Sequence, residues 1–197
     1  MSGATTVSLV GVGGQGILVA TAVLAQAAIV EGLDVKASEV KGMAQRGGSV
    51  LSMVRFGRPV WSPVARCSDV VIAMEQLEGR RALSTVALRG SLVCATTVIA
   101  PGSVLRGEDE YPRDLAAAAD ERHVGLLLVD ADGLALEAGS ARSANIVMLG
   151  AASIVLSFAD ASWEHALERT VKAAHLAVNQ RAFALGRAAV ATMEAES

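Results

Sequence analysis

Within its first 32 residues the chain passes from Val7-Ser8-Leu9-Val10 through Gly11-Val12-Gly13-Gly14-Gln15-Gly16 into an apolar stretch, Ile17 to Val30. That order leaves few folds open. A short apolar run followed by closely spaced glycines reads as a buried strand and a tight turn. The stretch after it is helical in length, and Gly32 is its natural C′ residue. It contains Thr21 and Gln26 and is too short to span a bilayer, so it reads as a buried helix.

The rest of the chain alternates in the same way. Asp34 to Val40 reads as a second strand, Gly42 to Gly48 as a glycine-bearing loop, and Ser49 to Phe56 as a third strand, turned by Gly57-Arg58-Pro59. Val70 to Ala73, Leu92 to Ile99 and Leu126 to Val129 supply further strands, and Glu75 opens a helix or turn. Residues 101–113 are polar and read as loop, with Pro112 in the first turn of a helix through Arg122. From Leu134 the pattern is helical, with Ser143 to Phe158 and Ser162 to Met193 as main segments and Ser162 as an N-cap. The expectation is a single α/β domain over residues 1–197. It is Rossmann-like and doubly wound, a mostly parallel sheet with helices on both faces and C-terminal helices closing it.

Composition narrows the chemistry. Hydrophobic residues at 52% and charged residues at 19% of 197 exclude a disordered chain. Aromatic residues at 3% leave the core to Ala, Val, Leu, Ile and Gly, and leave little for stacking nucleic-acid bases. Cys67 and Cys94 cannot supply the four thiolates that an iron–sulfur cluster normally takes. His123, His165 and His175 lack the spacing of a zinc site. The first Lys or Arg is Lys36, so no basic n-region of a signal peptide precedes the apolar helix. A cytoplasmic protein that binds neither membrane nor nucleic acid is expected.

Gly11, Gly13 and Gly16 satisfy G-x-G-x-x-G between a strand and a helix, the pattern that presents helix N–H groups to a phosphate. Glu39 is the acidic residue placed to hold a ribose, although it lies 28 residues after Gly11. The alternative is a glycine turn required only for packing. Net charge is −3, yet residues 40–68 carry Lys41, Arg46, Arg55, Arg58 and Arg66 with no acid. Such a run suggests a phosphate-bearing ligand or an acidic partner, with a solvated strand edge as the alternative for Arg55 and Arg58. Arg46 beside Gly47 and Gly48 lets a guanidinium and backbone amides converge on one anion. Glu75 and Asp130 follow strands, where helix caps are commoner than catalysts. Asn145, in an apolar helical stretch, must pin a loop or face another subunit. The two cysteines read as small core residues.

Taken together, Gly11-Val-Gly-Gly-Gln-Gly16, Glu39-x-x-Gly42-Met-Ala-Gln-Arg-Gly-Gly-Ser49, Asp69-Val-Val-Ile-Ala-Met-Glu75, Asn145-Ile-Val-Met-Leu-Gly150 and Asn179-x-x-Ala-Phe-x-x-Gly186 resemble the gamma-type domain of 2-oxoacid:ferredoxin oxidoreductases. The likeness spans the chain in order and is nearest to the small subunit of the indolepyruvate type.

The resemblance implies a non-redox component of a heteromeric enzyme. That enzyme decarboxylates a 2-oxoacid with thiamine diphosphate, sends two electrons through iron–sulfur clusters to ferredoxin, and transfers the acyl group to coenzyme A. Thiamine diphosphate, Mg and the clusters are expected on a larger partner subunit, with no cofactor bound by this chain alone. Gly13, Gly14, Gln15 and Gly16, with Gln45, Arg46, Gly47 and Gly48, would then pack at the subunit interface. There Arg46 would meet coenzyme A or the 2-oxoacid. Two other readings stand beside it: a purely structural docking subunit, and an independent NAD(P)- or FAD-binding protein. An isolated chain is expected to cover its apolar surface by self-dimerising.

Overall fold

The strands and helices follow from the pattern of apolar residues, and their lateral order positions the site. A computed structural model describes residues 3–41, 48–57 and 59–195. The strands are β1 (Thr5–Val12), β2 (Asp34–Lys41), β3 (Ser49–Gly57), β4 (Ser68–Ala73), β5 (Val86–Ala95) and β6 (Gly125–Val129). The helices are α1 (Ile17–Val30), α2 (Gln76–Ala82), α3 (Gly102–Leu105), α4 (Leu115–Glu121), α5 (Ala131–Ala138), α6 (Ala144–Ala152), α7 (Asp160–Thr170) and α8 (Ala173–Ala195).

One sheet runs in the order β2-β3-β1-β4-β5-β6. β1, β4, β5 and β6 are parallel, and β3 is antiparallel to both neighbours. Alternation along the strands sends Val7, Leu9, Val54, Ile72, Val93 and Val129 to one face, under α1 and α5 to α8. Val10, Val71, Ala73, Leu92 and Cys94 point to the other, under α2 and α4. Helices therefore cover both faces, as a mostly parallel sheet requires. Phe56, Phe158, Trp163 and Phe183 form a continuous aromatic row, with centroids 4.9, 5.4 and 5.3 Å apart, joining the sheet to α7 and α8.

Several boundaries differ from the sequence reading. β5 starts at Val86, well before Leu92, and stops at Ala95 rather than Ile99. Its register against β4 shifts between Ser68 and Val70, and Arg89 takes φ 62° within this irregularity. Arg89 and Gly90 thus form a bulge inside one strand. Pro112 lies outside α4, which begins after Asp114. The Asp114 carboxylate does not cap the helix because it is engaged by Arg80 at 3.0 and 2.8 Å.

The segment from Ser143 stops being helical at Ala152. There Ser153 Oγ donates to the Gly150 carbonyl at 2.6 Å. The last long segment is two helices, broken where Val171 turns extended (φ −89°, ψ 139°) beside Thr170. Two adjacent β-branched residues weaken a helix there. Ser162 lies buried inside α7 and caps nothing. Glu31, just past α1, instead accepts the Ala159 N–H at 2.7 Å, and this bond followed by that from Ser162 holds its carboxyl below the usual range.

Candidate functional site

The glycine turn sits at the carboxyl end of β1 and is built almost entirely from local necessity. Gly14 (φ 112°) and Gly16 (φ 73°) occupy left-handed backbone that glycine adopts freely. Gly16 is the N-cap of α1, and no side chain caps that helix. Gln15 folds back over the turn: its Oε1 accepts the Val12 N–H at 2.7 Å and its Nε2 donates to the Met74 carbonyl at 2.8 Å. The glutamine therefore ties β1 to β4, with both ends of its amide engaged by the protein. Asn145 Nδ2 donates to the Gly16 carbonyl at 2.9 Å, so the amide in the apolar helix α6 pins a neighbouring loop.

The turn lines a cleft of about 1270 Å³ at the carboxyl edge of the parallel strands, where ligands of open α/β sheets bind. Gly14, Gln15, Gly16, Met74 and Asn145 are among its lining residues. Arg142, Lys172 and His175 line it as well, from the 141–143 turn, the α7–α8 break and the start of α8. Neither Arg142 nor Lys172 has an ion-pair partner among the described residues. The one acid of the lining, Asp132, accepts the Thr97 hydroxyl at 2.7 Å. Apolar side chains lie at the cleft too: Val19 and Ile99 line it, and both are exposed on the chain alone. A basic, partly apolar cleft in a chain of net charge −3 suits an anion carried on an apolar body.

The second loop meets the first. The Gly13 N–H donates to the Gly48 carbonyl at 2.9 Å, which brings the end of the β2–β3 connection against the glycine turn. Gln45, Arg46 and Gly47 lie outside the described residues, as do Gly42, Met43, Ala44 and Arg58. Glu39 is elsewhere. It pairs with Ser52 on β3, and β3 lies between β2 and β1. The strand after α1 is therefore not the neighbour of β1, so Glu39 is not placed to hold a ribose as the dinucleotide fingerprint requires.

One member of the basic run lies away from the cleft. Arg55 lies at the far end of the sheet, where its Nε donates to Thr6 Oγ1 at 3.2 Å and its Nη1 to the Ser62 carbonyl at 2.8 Å.

Sequence reasoning missed Arg142 and Lys172. The polar stretch Ser140–Ser143 and the β-branched Thr170-Val171 pair are the signals that marked them. It also undervalued the polar cluster behind the turn. Glu75, fully buried, caps α2 by accepting the Glu78 N–H, and its Oε2 accepts the Tyr111 hydroxyl at 2.8 Å. Burial, with Glu75 close by, pushes the Tyr111 phenol up and the Cys94 thiol up to about 12. Among the described residues no group of three His, Cys, Asp or Glu side chains could hold a metal.

Residues 6–189 match the family described as pyruvate ferredoxin/flavodoxin oxidoreductase. The chain belongs to this family. One relative is the indolepyruvate oxidoreductase subunit IorB of Methanothermobacter thermautotrophicus, 37% identical over 151 residues, 75% of this chain and 77% of the relative. Among solved structures, the gamma subunit of a keto/oxoacid ferredoxin oxidoreductase from Geobacter sulfurreducens superposes with TM-score 0.71 at 24% identity, covering 95% of this chain and 99% of that one. The 2-oxoglutarate:ferredoxin oxidoreductase of Magnetococcus marinus, solved with 2-oxoglutarate, coenzyme A and succinyl-CoA bound, superposes with TM-score 0.75 at 22% identity. The match covers 96% of this chain but 31% of that longer one. The fold of these solved structures is thus the one assembled here, and the chain is the small subunit of a 2-oxoacid:ferredoxin oxidoreductase.

Proposed function

We propose that this chain serves an indolepyruvate-type enzyme that acts on aryl pyruvates in the cytoplasm. Its cleft and glycine turn face a larger subunit and help to bind coenzyme A or the 2-oxoacid. The observation that carries the reading is the basic cleft beside the glycine turn, in a chain with relatives named for indolepyruvate. Thiamine diphosphate, Mg and the iron–sulfur clusters belong to the larger subunit in this reading, where the diphosphate cofactor supplies the decarboxylation chemistry. Ferredoxin takes the two electrons, and coenzyme A takes the acyl group.

This chain contributes binding and orientation. Arg142 and Lys172 attract the phosphates or the carboxylate, and the uncapped N-terminus of α1 adds its partial positive charge. Arg46, with Gln45 and Gly47 on the connection that ends at Gly48, adds a planar guanidinium for the same anion. Val19 and Ile99 at the cleft, with the exposed Leu18 and Val98 next to them in the chain, are apolar surface that the larger subunit covers, and a second copy covers it when the chain is alone.

The test is anaerobic co-production with the larger subunit, followed by ferredoxin reduction with indolepyruvate, pyruvate and 2-oxoglutarate, each with and without coenzyme A. Fastest turnover with indolepyruvate supports the reading, and preference for pyruvate or 2-oxoglutarate overturns the aryl assignment. Arg46→Ala should raise the KM for coenzyme A or the 2-oxoacid. If that variant fails to assemble, yet any assembled enzyme has normal constants, the chain is a docking subunit only.

A further inference from the structure

The glycine turn is held from two sides, one support ending just before α2 and the other in its first turn. On one side Gln15 Nε2 bonds the Met74 carbonyl, immediately before Glu75. On the other, the Gly13 N–H bonds the Gly48 carbonyl, and the next residue, Ser49, donates its hydroxyl to Glu78 Oε2 at 2.5 Å. Glu78 is 6% exposed, an unusual place for a carboxylate. Its other oxygen takes Arg81 Nη1 at 2.6 Å, and its own N–H is capped by Glu75. Glu75 in turn takes the Tyr111 hydroxyl, and Tyr111 Oη accepts the Leu77 N–H at 2.8 Å. A path of hydrogen bonds joined by short stretches of chain thus runs from Tyr111 through Glu75, Glu78 and Ser49 to Gly48 and Gly13.

A buried carboxylate is costly unless its oxygens are satisfied, and leucine would fill such a position without that demand. What leucine could not do is fix the hydroxyl of Ser49. We infer that Glu78 is a positioning residue: through Ser49 and Gly48 it sets where Gly13 opens the turn, and so fixes the wall of the cleft formed by Gly14 and Gly16. The inference rests on the reading of that cleft as a binding site for coenzyme A or the 2-oxoacid. Neither Glu78 nor Ser49 lines the cleft, so each acts only through the turn.

Ser49→Ala, Ser49→Thr and Glu78→Gln in the assembled enzyme test this, with kinetics read beside amide hydrogen exchange of the peptide containing Gly13 to Gly16. Ser49→Ala is expected to raise the KM for coenzyme A or the 2-oxoacid about fivefold, the scale of one lost hydrogen bond, with kcat held within about twofold. Exchange of the turn amides should quicken by a similar factor, and Ser49→Thr, which keeps the hydroxyl, should restore both. Glu78→Gln should fall between, since an amide oxygen still accepts from Ser49. Wild-type exchange and wild-type constants in both Ser49→Ala and Glu78→Gln overturn the inference. If the unmodified complex reduces no ferredoxin with any 2-oxoacid, the functional reading fails, and the exchange rates alone decide the positioning role.

Discussion

Gly150 and Gly186 face each other where α6 crosses α8: a Cβ on Gly150 would run into the Phe183 carbonyl, and one on Gly186 into the Val147 carbonyl. The relationship is reciprocal, each glycine lying three residues beyond the carbonyl that excludes a side chain from the other. Two helix backbones thereby touch directly. Asn145, on the same helix as Gly150, is held at the height of the glycine turn by this crossing.

Gly150→Ala and Gly186→Ala should each destabilise the chain by about 3 kcal/mol, because the obstacle is backbone and the helices must separate. Denaturant unfolding should show a lower midpoint with an unchanged slope. The two losses should add to less than their sum, since one separation relieves both collisions.

Gly16 and Asn145 form a second coupled pair. A Cβ on Gly16 would stand 2.6 Å from Asn145 Nδ2, at a residue whose φ is 73°. Asn145→Ala should cost about 1 kcal/mol for the lost bond to the Gly16 carbonyl. Gly16→Ala should cost more, through left-handed strand-to-helix backbone worth about 1–2 kcal/mol as well as the clash. In the double variant the clash disappears, so a double-mutant cycle read by urea unfolding should show a double-variant loss smaller than the sum of the two single losses.

Arg142→Ala and Lys172→Ala should each raise the KM for coenzyme A or the 2-oxoacid by up to about fivefold, the scale of an exposed charge contact. The increase should shrink as salt rises from 0.05 to about 0.5 M, because the ionic atmosphere screens exposed charges. Steady-state kinetics of the assembled enzyme at two ionic strengths checks both statements. Equal constants at low salt would remove the cleft from the binding site.

The two cysteines should behave differently towards thiol reagents. Cys67 is exposed, whereas Cys94 is buried and its thiol is pushed up to about 12 by burial and by Glu75. One thiol per chain should react at pH 8 in the native protein and two after unfolding. Because the folded value lies above the ordinary 9.0, the stabilisation from a neutral Cys94 is complete below pH 9 and declines as pH climbs towards 12. Tyr111, also raised, acts in the same direction. Tm measured from pH 8 to 11 should fall, and less steeply in Cys94→Ala than in the parent.

Much of the fold was legible because its signals are local. The alternation that buries Val7 and Leu9, the glycine run that opens α1 and the Gly32 stop all act within a few residues of chain. Gly32 indeed ends α1 at φ 71°, with the Leu33 N–H returning to the Ala28 carbonyl. Glu75 was legible as a helix cap for the same reason. The break at Val171 and the bulge at Arg89 were not, since a helix and a strand each continue in sequence pattern past the point where packing interrupts them.

The sequence by itself determined a mostly parallel α/β sheet, a glycine turn feeding a buried helix and the family likeness carried by ordered motifs, all of them set by periodicity and by residues that permit special backbone. Only the tertiary structure decided that β3 enters between β1 and β2 and takes Glu39 away from the turn. It alone brought Arg142 and Lys172 to one cleft, Glu78 under Ser49, and Gly150 against Gly186. These relations join residues far apart in the chain. They depend on which surfaces bury one another best, and no local pattern encodes that.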